Sequence, residues 1–336
     1  MQQSSIIKIG MTREFFDVGA QIWDREIFDA IAADPRVEIT PLASGESGVT
    51  AADLAAHDIL VVRKTGVPQA AFEGDGPLRT RLICRFGVGY DHIALADCTK
   101  RGIAVTITPD GVRRPVASSI VALVMALSHR VLEKNALIRA GEWGAGRVLL
   151  GMGLEGRVLA SVGFGNIARE AFRLLAPFGM RMMACDPRPD MAVAEGLGVE
   201  IADFGTVLSQ ADFLTVNCPL SPATRHIIDA GALARMKPTA YLINTARGAL
   251  VSQEALVAAL AERRIAGAGL DVFEVEPTGA GNPLFAYDTV IAAPHSLCWT
   301  DECATLTSRG VRDAITAWLD GKPLPNLVNP DVLRAA

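Results

Sequence analysis

The chain has 336 residues, half of them hydrophobic and 21% charged, with a net charge of −5. That length suggests about two domains, and the balance excludes an intrinsically disordered chain, which would be polar and highly charged. With no block of five or six basic residues, binding to nucleic acid or to an anionic membrane is not expected, because both need concentrated Lys and Arg.

Apolar runs of strand length alternate with stretches of helix length along the whole chain. Residues 6–11, 37–40, 59–62, 82–86 and 104–107 read as short buried strands, with helix-like segments such as 23–33 and 51–56 between them. A long helical pattern then runs from about Pro115 to Ala140, with Pro115 near the first turn, where its missing N–H costs nothing. Its apolar residues Val116, Ile120, Leu123, Val124, Leu127 and Val131 recur three or four apart, which suits a connector helix, a subunit interface, or both. From Arg157 the alternation restarts, with strands at 158–163, 181–186, 213–217, 241–244, 269–272 and 290–293 and helices including 167–178 and 253–263. A last helix, 300–319, is expected to run back towards the first unit. The pattern implies an α/β fold of two doubly wound parallel sheets, each covered by helices on both faces.

Six scattered cysteines (Cys84, Cys98, Cys185, Cys218, Cys298, Cys303) form no C-x-x-C pair and match neither a disulfide scaffold nor a zinc site. They read as reduced thiols. Met1 to Ser5 lack the basic and apolar regions of a signal peptide, and the apolar stretch 120–127 is well short of the roughly 20 residues that span a bilayer. A soluble, cytoplasmic protein is expected.

Gly163-Phe164-Gly165-Asn166-Ile167-Ala168 reads G-x-G-x-x-A, directly after a strand and at the start of a helix. The two glycines permit a tight turn and close approach of a pyrophosphate, while the small Ala168 lets the helix pack on the strand. The helix N-terminus offers unpaired N–H groups to the anion. Asp186 ends the next strand, 23 residues after Gly163, where a carboxylate can accept the hydroxyls of an adenosine ribose. A carboxylate there repels a 2′-phosphate, which favours NAD over NADP, with Arg188 as the counter-argument.

Three further segments stand at the ends of strands in this half, where doubly wound folds bind ligands. They are Asn244-Thr245-Ala246-Arg247-Gly248, the run from Gly269 to Pro277 with Asp271, Glu274 and Glu276, and Ala293-Pro294-His295. A guanidinium, a carboxylate and an imidazole suit hydride transfer to or from a 2-keto acid. Arginine can fork a carboxylate, histidine can move the hydroxyl proton, and glutamate can hold the histidine and favour its charged form.

At these motifs the sequence resembles the D-isomer-specific 2-hydroxyacid dehydrogenases, the family of phosphoglycerate dehydrogenase, glyoxylate/hydroxypyruvate reductase and D-lactate dehydrogenase. The likeness also covers Arg85-Phe86-Gly87-Val88-Gly89-Tyr90-Asp91-His92-Ile93, the run from Pro219 to Arg225, Met236-Lys237-Pro238 and Leu327-Val328-Asn329-Pro330. The resemblance implies a flavodoxin-like substrate domain made of residues 1–110 and 299–336, with an inserted Rossmann NAD-binding domain at 111–298 and the active site between them. It implies a catalytic triad of Arg247, Glu276 and His295, with no metal. It further implies that Val88 and Gly89 N–H groups help Arg247 and His295 hold the substrate, and that Asp271 holds the nicotinamide amide. Thr245, Ala246 and Arg247 would line the nicotinamide pocket, and Cys218 and Pro219 would flank the cofactor. A homodimer is the family expectation.

The family's usual P-H-I-G-G is replaced by Pro294-His295-Ser296-Leu297-Cys298-Trp299, and V-A-E by Val116-Ala117-Ser118. These departures leave catalysis intact and bear on substrate identity, with Trp299 on the wall of the cleft or in the hinge. A hydride-transferring enzyme of small D-2-hydroxy acids, of the glyoxylate/hydroxypyruvate or 3-phosphoglycerate type, is the leading reading. The alternative is an NAD(H)-sensing, corepressor-like interaction protein.

Overall fold

The computed structural model describes residues 6–16, 23–44, 48–73 and 76–334; the amino-terminal residues inspected above for a leader lie outside them. The chain divides into two compact units, Met1–Val112 with Trp299–Ala336, and Arg113–Cys298.

In the first unit, β1 (Ile7–Met11), β2 (Val37–Pro41), β3 (Ile59–Val62), β4 (Leu82–Arg85) and β5 (Ala104–Thr106) form a parallel sheet in the order β2-β1-β3-β4-β5. Successive residues point to opposite faces, so Ile59, Val61, Leu82 and Cys84 feed one core while Leu60, Val62, Ile83 and Val105 feed another. Burial on both faces explains why these strands read as continuous apolar runs. The carboxy-terminal tail is stitched to β5: Asn329 Oδ1 accepts the Val105 N–H at 2.9 Å, and its Nδ2 donates to Ile103 O at 2.9 Å. Asp24 ties the helix Arg25–Ala32 to the helix Asp301–Leu319 through the Thr305 hydroxyl at 2.7 Å and Ser308 Oγ at 3.0 Å.

In the second unit, β6 (Val158–Val162), β7 (Arg181–Cys185), β8 (Val199–Ile201), β9 (Phe213–Val216), β10 (Tyr241–Asn244), β11 (Gly267–Leu270) and β12 (Val290–Ala292) form a parallel sheet. Its order, β12-β11-β10-β9-β6-β7-β8, reverses direction between β6 and β9, the switch point at which such sheets open a ligand crevice.

Three readings from the sequence need correction. The long helical pattern is not one helix from Pro115: it begins at Pro109, ends at Ser128, and resumes as Val131–Arg139. Pro109, not Pro115, takes the first turn. The break follows because the Ser128 carbonyl is captured by the Met152 N–H at 2.7 Å, and Arg130 adopts φ 53° with its guanidinium on Glu133. By length and composition Pro109–Ser128 could cross a bilayer, yet 56% of its most apolar window is buried inside the protein. Second, β11 starts at Gly267 instead of Gly269, because pairing with neighbours on both sides outweighs the weak strand preference of Gly-Ala-Gly. Asp271 therefore stands just past the strand. Third, Asp186 likewise stands one residue beyond β7.

Candidate active site

The glycine turn lies at the switch point. Gly163 has φ +97°, and a side chain there would approach the Asn217 carbonyl and the Cys218 nitrogen within 2.9 Å. The helix Asn166–Leu175 starts at Gly165 with no side-chain cap, so its first N–H groups remain for an anion. A Cβ at Gly165 would meet nothing within 4 Å, which leaves the approach open, while Ala168 is fully buried beneath. These features fit a dinucleotide pyrophosphate.

Asp186 is tied into the glycine turn itself. Its Oδ2 accepts the Phe164 N–H at 2.9 Å and its Oδ1 the Arg188 N–H at 2.9 Å, which leaves about two of its four lone-pair directions. Arg169, which sequence reasoning missed, donates to the Phe164 carbonyl at 2.9 Å and lies 4.9 Å over that ring. Phe164 is thus held by its N–H, its carbonyl and its ring. The signal was present as a basic residue directly after G-x-G-x-x-A. Cys185 ends β7 and the half-buried Cys218 follows β9, the two strands that flank β6, and burial pushes both thiols up to about 11. They remain neutral near pH 7.

The segments after β10, β11 and β12 emerge from three adjacent strands of the same sheet edge. Asn244, 1% exposed, accepts the Ala246 N–H at 3.1 Å and donates to the Arg247 carbonyl at 2.8 Å, so one buried amide fixes the turn that presents Arg247. Sequence reasoning named Asn244 only as part of a motif. Thr245 Oγ1 in this turn is buried without a hydrogen-bond partner, a vacant polar contact suited to a cofactor. Arg247 itself donates to the Ala246 carbonyl at 2.7 Å. A side chain at Gly248 would collide with the Phe273 carbonyl, so glycine is what lets the Arg247 and Glu276 segments touch.

Glu276 Oε1 accepts the Phe273 N–H at 2.9 Å, and its Oε2 lies 2.7 Å from His295 Nδ1. Burial pushes the Glu276 carboxyl up, but the His295 hydrogen bond, the Phe273 N–H and the charges of His295 and Arg247 outweigh it, so the group ionises more readily than an ordinary glutamate. His295 has φ +55° and keeps 42% of its side chain exposed. Asp271, 3% exposed, accepts the Ser296 N–H at 2.8 Å and the Leu297 N–H at 3.2 Å; burial raises its pKa against these bonds.

The triad residues all lie in the second unit, together with the glycine turn, Asp186, Cys218, Pro219, Thr245, Ala246 and Asp271. Val88 and Gly89 belong to the first unit, after β4, where the Gly89 carbonyl accepts Arg85 Nε at 2.7 Å. Trp299 is in that unit too, 6.1 Å from Phe86 and 4.5 Å beneath the Arg63 guanidinium.

Residues 121–296 match the family described as D-isomer specific 2-hydroxyacid dehydrogenase, NAD binding domain. The chain is 39% identical over 264 residues to a glyoxylate reductase of Thermococcus litoralis, covering 77% of this chain and 80% of that protein. It is 37% identical over 274 residues to a D-3-phosphoglycerate dehydrogenase of Methanocaldococcus jannaschii, covering 81% of this chain and 52% of that one. Among solved structures, an NADPH-dependent glyoxylate/hydroxypyruvate reductase from Sinorhizobium meliloti, in complex with NADP and malonate, superposes with a TM-score of 0.81 at 26% identity, covering 96% and 97% of the two chains. Sequence and fold agree, and the chain belongs to the D-isomer-specific 2-hydroxyacid dehydrogenases, nicotinamide-dependent oxidoreductases of 2-hydroxy acids.

Proposed function

We propose that the enzyme interconverts a small D-2-hydroxy acid and its 2-keto acid with NAD(H), using Arg247, Glu276 and His295. The observation that carries this reading is the 2.7 Å contact between His295 Nδ1 and Glu276 Oε2. With Nδ1 committed to the carboxylate, Nε2 is the nitrogen left to give a proton to the carbonyl oxygen of a keto acid, or to take it back from the alcohol. Arg247 anchors the substrate carboxylate and polarises the carbonyl. When bound, the nicotinamide supplies or accepts the hydride at C2.

Gly163 through Ile167 would hold the pyrophosphate, Asp186 the adenosine ribose, and Cys218, Pro219, Thr245 and Ala246 the nicotinamide half. The orphaned Thr245 hydroxyl and the open face at Gly165 support that assignment. Preference for NAD over NADP rests on the Asp186 carboxylate; the Sinorhizobium meliloti relative's use of NADPH argues the other way. The glyoxylate reductase relatives favour a short keto acid of the glyoxylate/hydroxypyruvate type over 3-phosphoglycerate. A cytoplasmic homodimer completes the proposal. Its supports are six cysteines that form no disulfide and the exposed apolar residues Ile138, Trp143, Val148 and Leu150, the last 87% exposed, which a second copy would cover.

The test is a panel of 2-keto acids run with NADH and NADPH. His295→Ala should lower kcat by about 10² to 10⁴, the usual range for a general acid. Arg247→Ala should raise KM and lower kcat together. No turnover with any keto acid, alongside tight NADH binding, would refute the proposal and favour a sensing role.

A further inference from the structure

The peptide unit between Gly163 and Phe164 is held at both ends. Its carbonyl oxygen accepts the Ser161 hydroxyl at 2.6 Å, and its N–H donates to Asp186 Oδ2 at 2.9 Å. Across a planar trans peptide these two groups point in opposite directions, so the two contacts together fix its rotation. Gly163, at φ +97°, has no side chain to resist a flip of that unit. A flip would set the Ser161 hydroxyl against an N–H and the Asp186 carboxylate against an oxygen.

The serine has a brace of its own. Asn217 Nδ2 donates to Ser161 Oγ at 3.0 Å and to Thr215 Oγ1 at 3.2 Å, and both hydroxyl residues are fully buried. A carbonyl only accepts, so the one Ser161 proton goes to Gly163, and the side of Ser161 that faces Asn217 must accept. An NH2 group meets that need. The Asn217 main chain also lies on the turn, with its N–H on the Val162 carbonyl at 2.8 Å.

We infer that Ser161 and Asn217 are positioning residues for the cofactor: the amide orients the serine hydroxyl, and the hydroxyl holds the Gly163 carbonyl inward, away from the diphosphate. The inference rests on the dinucleotide reading of the glycine turn. With that carbonyl turned in, the anion meets the N–H groups that open the helix Asn166–Leu175 and no oxygen lone pair.

The experiment measures dissociation constants of NADH, ADP and adenosine for the wild-type protein, Ser161→Ala, Asn217→Asp and the double variant. NADH is read by fluorescence titration and the other two by its displacement, with KM for NADH and kcat measured alongside. Ser161→Ala should raise the constants for NADH and ADP about three- to tenfold, the scale of one hydrogen bond, and leave adenosine within about twofold. The loss should appear in KM for NADH, with kcat at saturating NADH within about twofold. Asn217→Asp keeps the shape but presents only acceptors, which draws the Ser161 proton away from Gly163. It should therefore weaken ADP more in the wild-type background than in Ser161→Ala, where only its charge still acts. Unchanged NADH affinity in Ser161→Ala, or an equal loss for ADP and adenosine, would overturn the inference. An equal ADP loss from Asn217→Asp in both backgrounds would overturn the role of Asn217. A wild-type protein that binds neither NADH nor NADPH would instead refute the proposed function. Should Ser161→Ala fail to fold, Ser161→Cys, which keeps the shape with only a weak donor, carries the same test.

Discussion

Replacing Glu276 by glutamine isolates the charge of the proton-transfer pair while keeping its shape. In the wild-type protein the carboxylate lies 2.7 Å from His295 Nδ1 and is ionised below the ordinary glutamate range. The carboxylate therefore stays ionised through neutral pH and is protonated only as pH falls through that lowered value. A hydrogen bond between charged groups contributes about 1.5–3 kcal/mol when buried. With 42% of the histidine and 34% of the glutamate side chain exposed, screening reduces this to about 1–1.5 kcal/mol. Losing the carboxylate removes that support from the imidazolium and leaves the neutral ring unaffected. The alkaline limb of keto-acid reduction should therefore move to lower pH. The assay is kcat/KM against pH at saturating NADH, with NADH affinity titrated alongside and expected to stay nearly unchanged. The amide can keep only one of the two accepting contacts, to Phe273 N–H or to His295, so some loss of kcat below the limb is expected as well. A limb that does not move would mean the two side chains are not coupled, and the assigned pair would be wrong.

Cofactor choice follows from Asp186: kcat/KM should favour NADH over NADPH by about tenfold, or roughly 1.4 kcal/mol, and equal use of both would show that Arg188 governs the pocket. Because the same carboxylate holds the Phe164 N–H, Asp186→Ala should weaken both cofactors instead of converting one preference into the other. Trp299 packs with the core of the first unit, against Phe86 and under Arg63, so Trp299→Ala should cost about 2–3 kcal/mol in denaturant unfolding and leave the ranking of keto acids unchanged. A broadened substrate range at undiminished stability would place the indole on the substrate instead.

Much of this protein is written in short stretches of sequence. The strands of both sheets are buried on both faces, so their apolar runs are legible without knowledge of any neighbour, and β3 and β10 fall where the sequence reading put them. Gly163 and Gly248 are required by backbone approach, Asp186 stands at its expected distance from the turn, and Arg247, Glu276 and His295 each sit in a recognisable segment at a strand end. The three-residue β8, which sequence reading missed, is an edge strand following Gly198 and too short to carry a pattern. Tertiary structure alone decided the rest. Ser128 ends its helix because Met152 takes its carbonyl, Asn244 braces Arg247, Arg169 covers Phe164, and Asp271 captures the two N–H groups after His295. Each of these contacts ends on a backbone N–H or carbonyl, or on a ring. Every residue carries the same backbone groups, so no pattern of side chains announces which of them a buried carboxylate or amide will find; folding makes that choice by position.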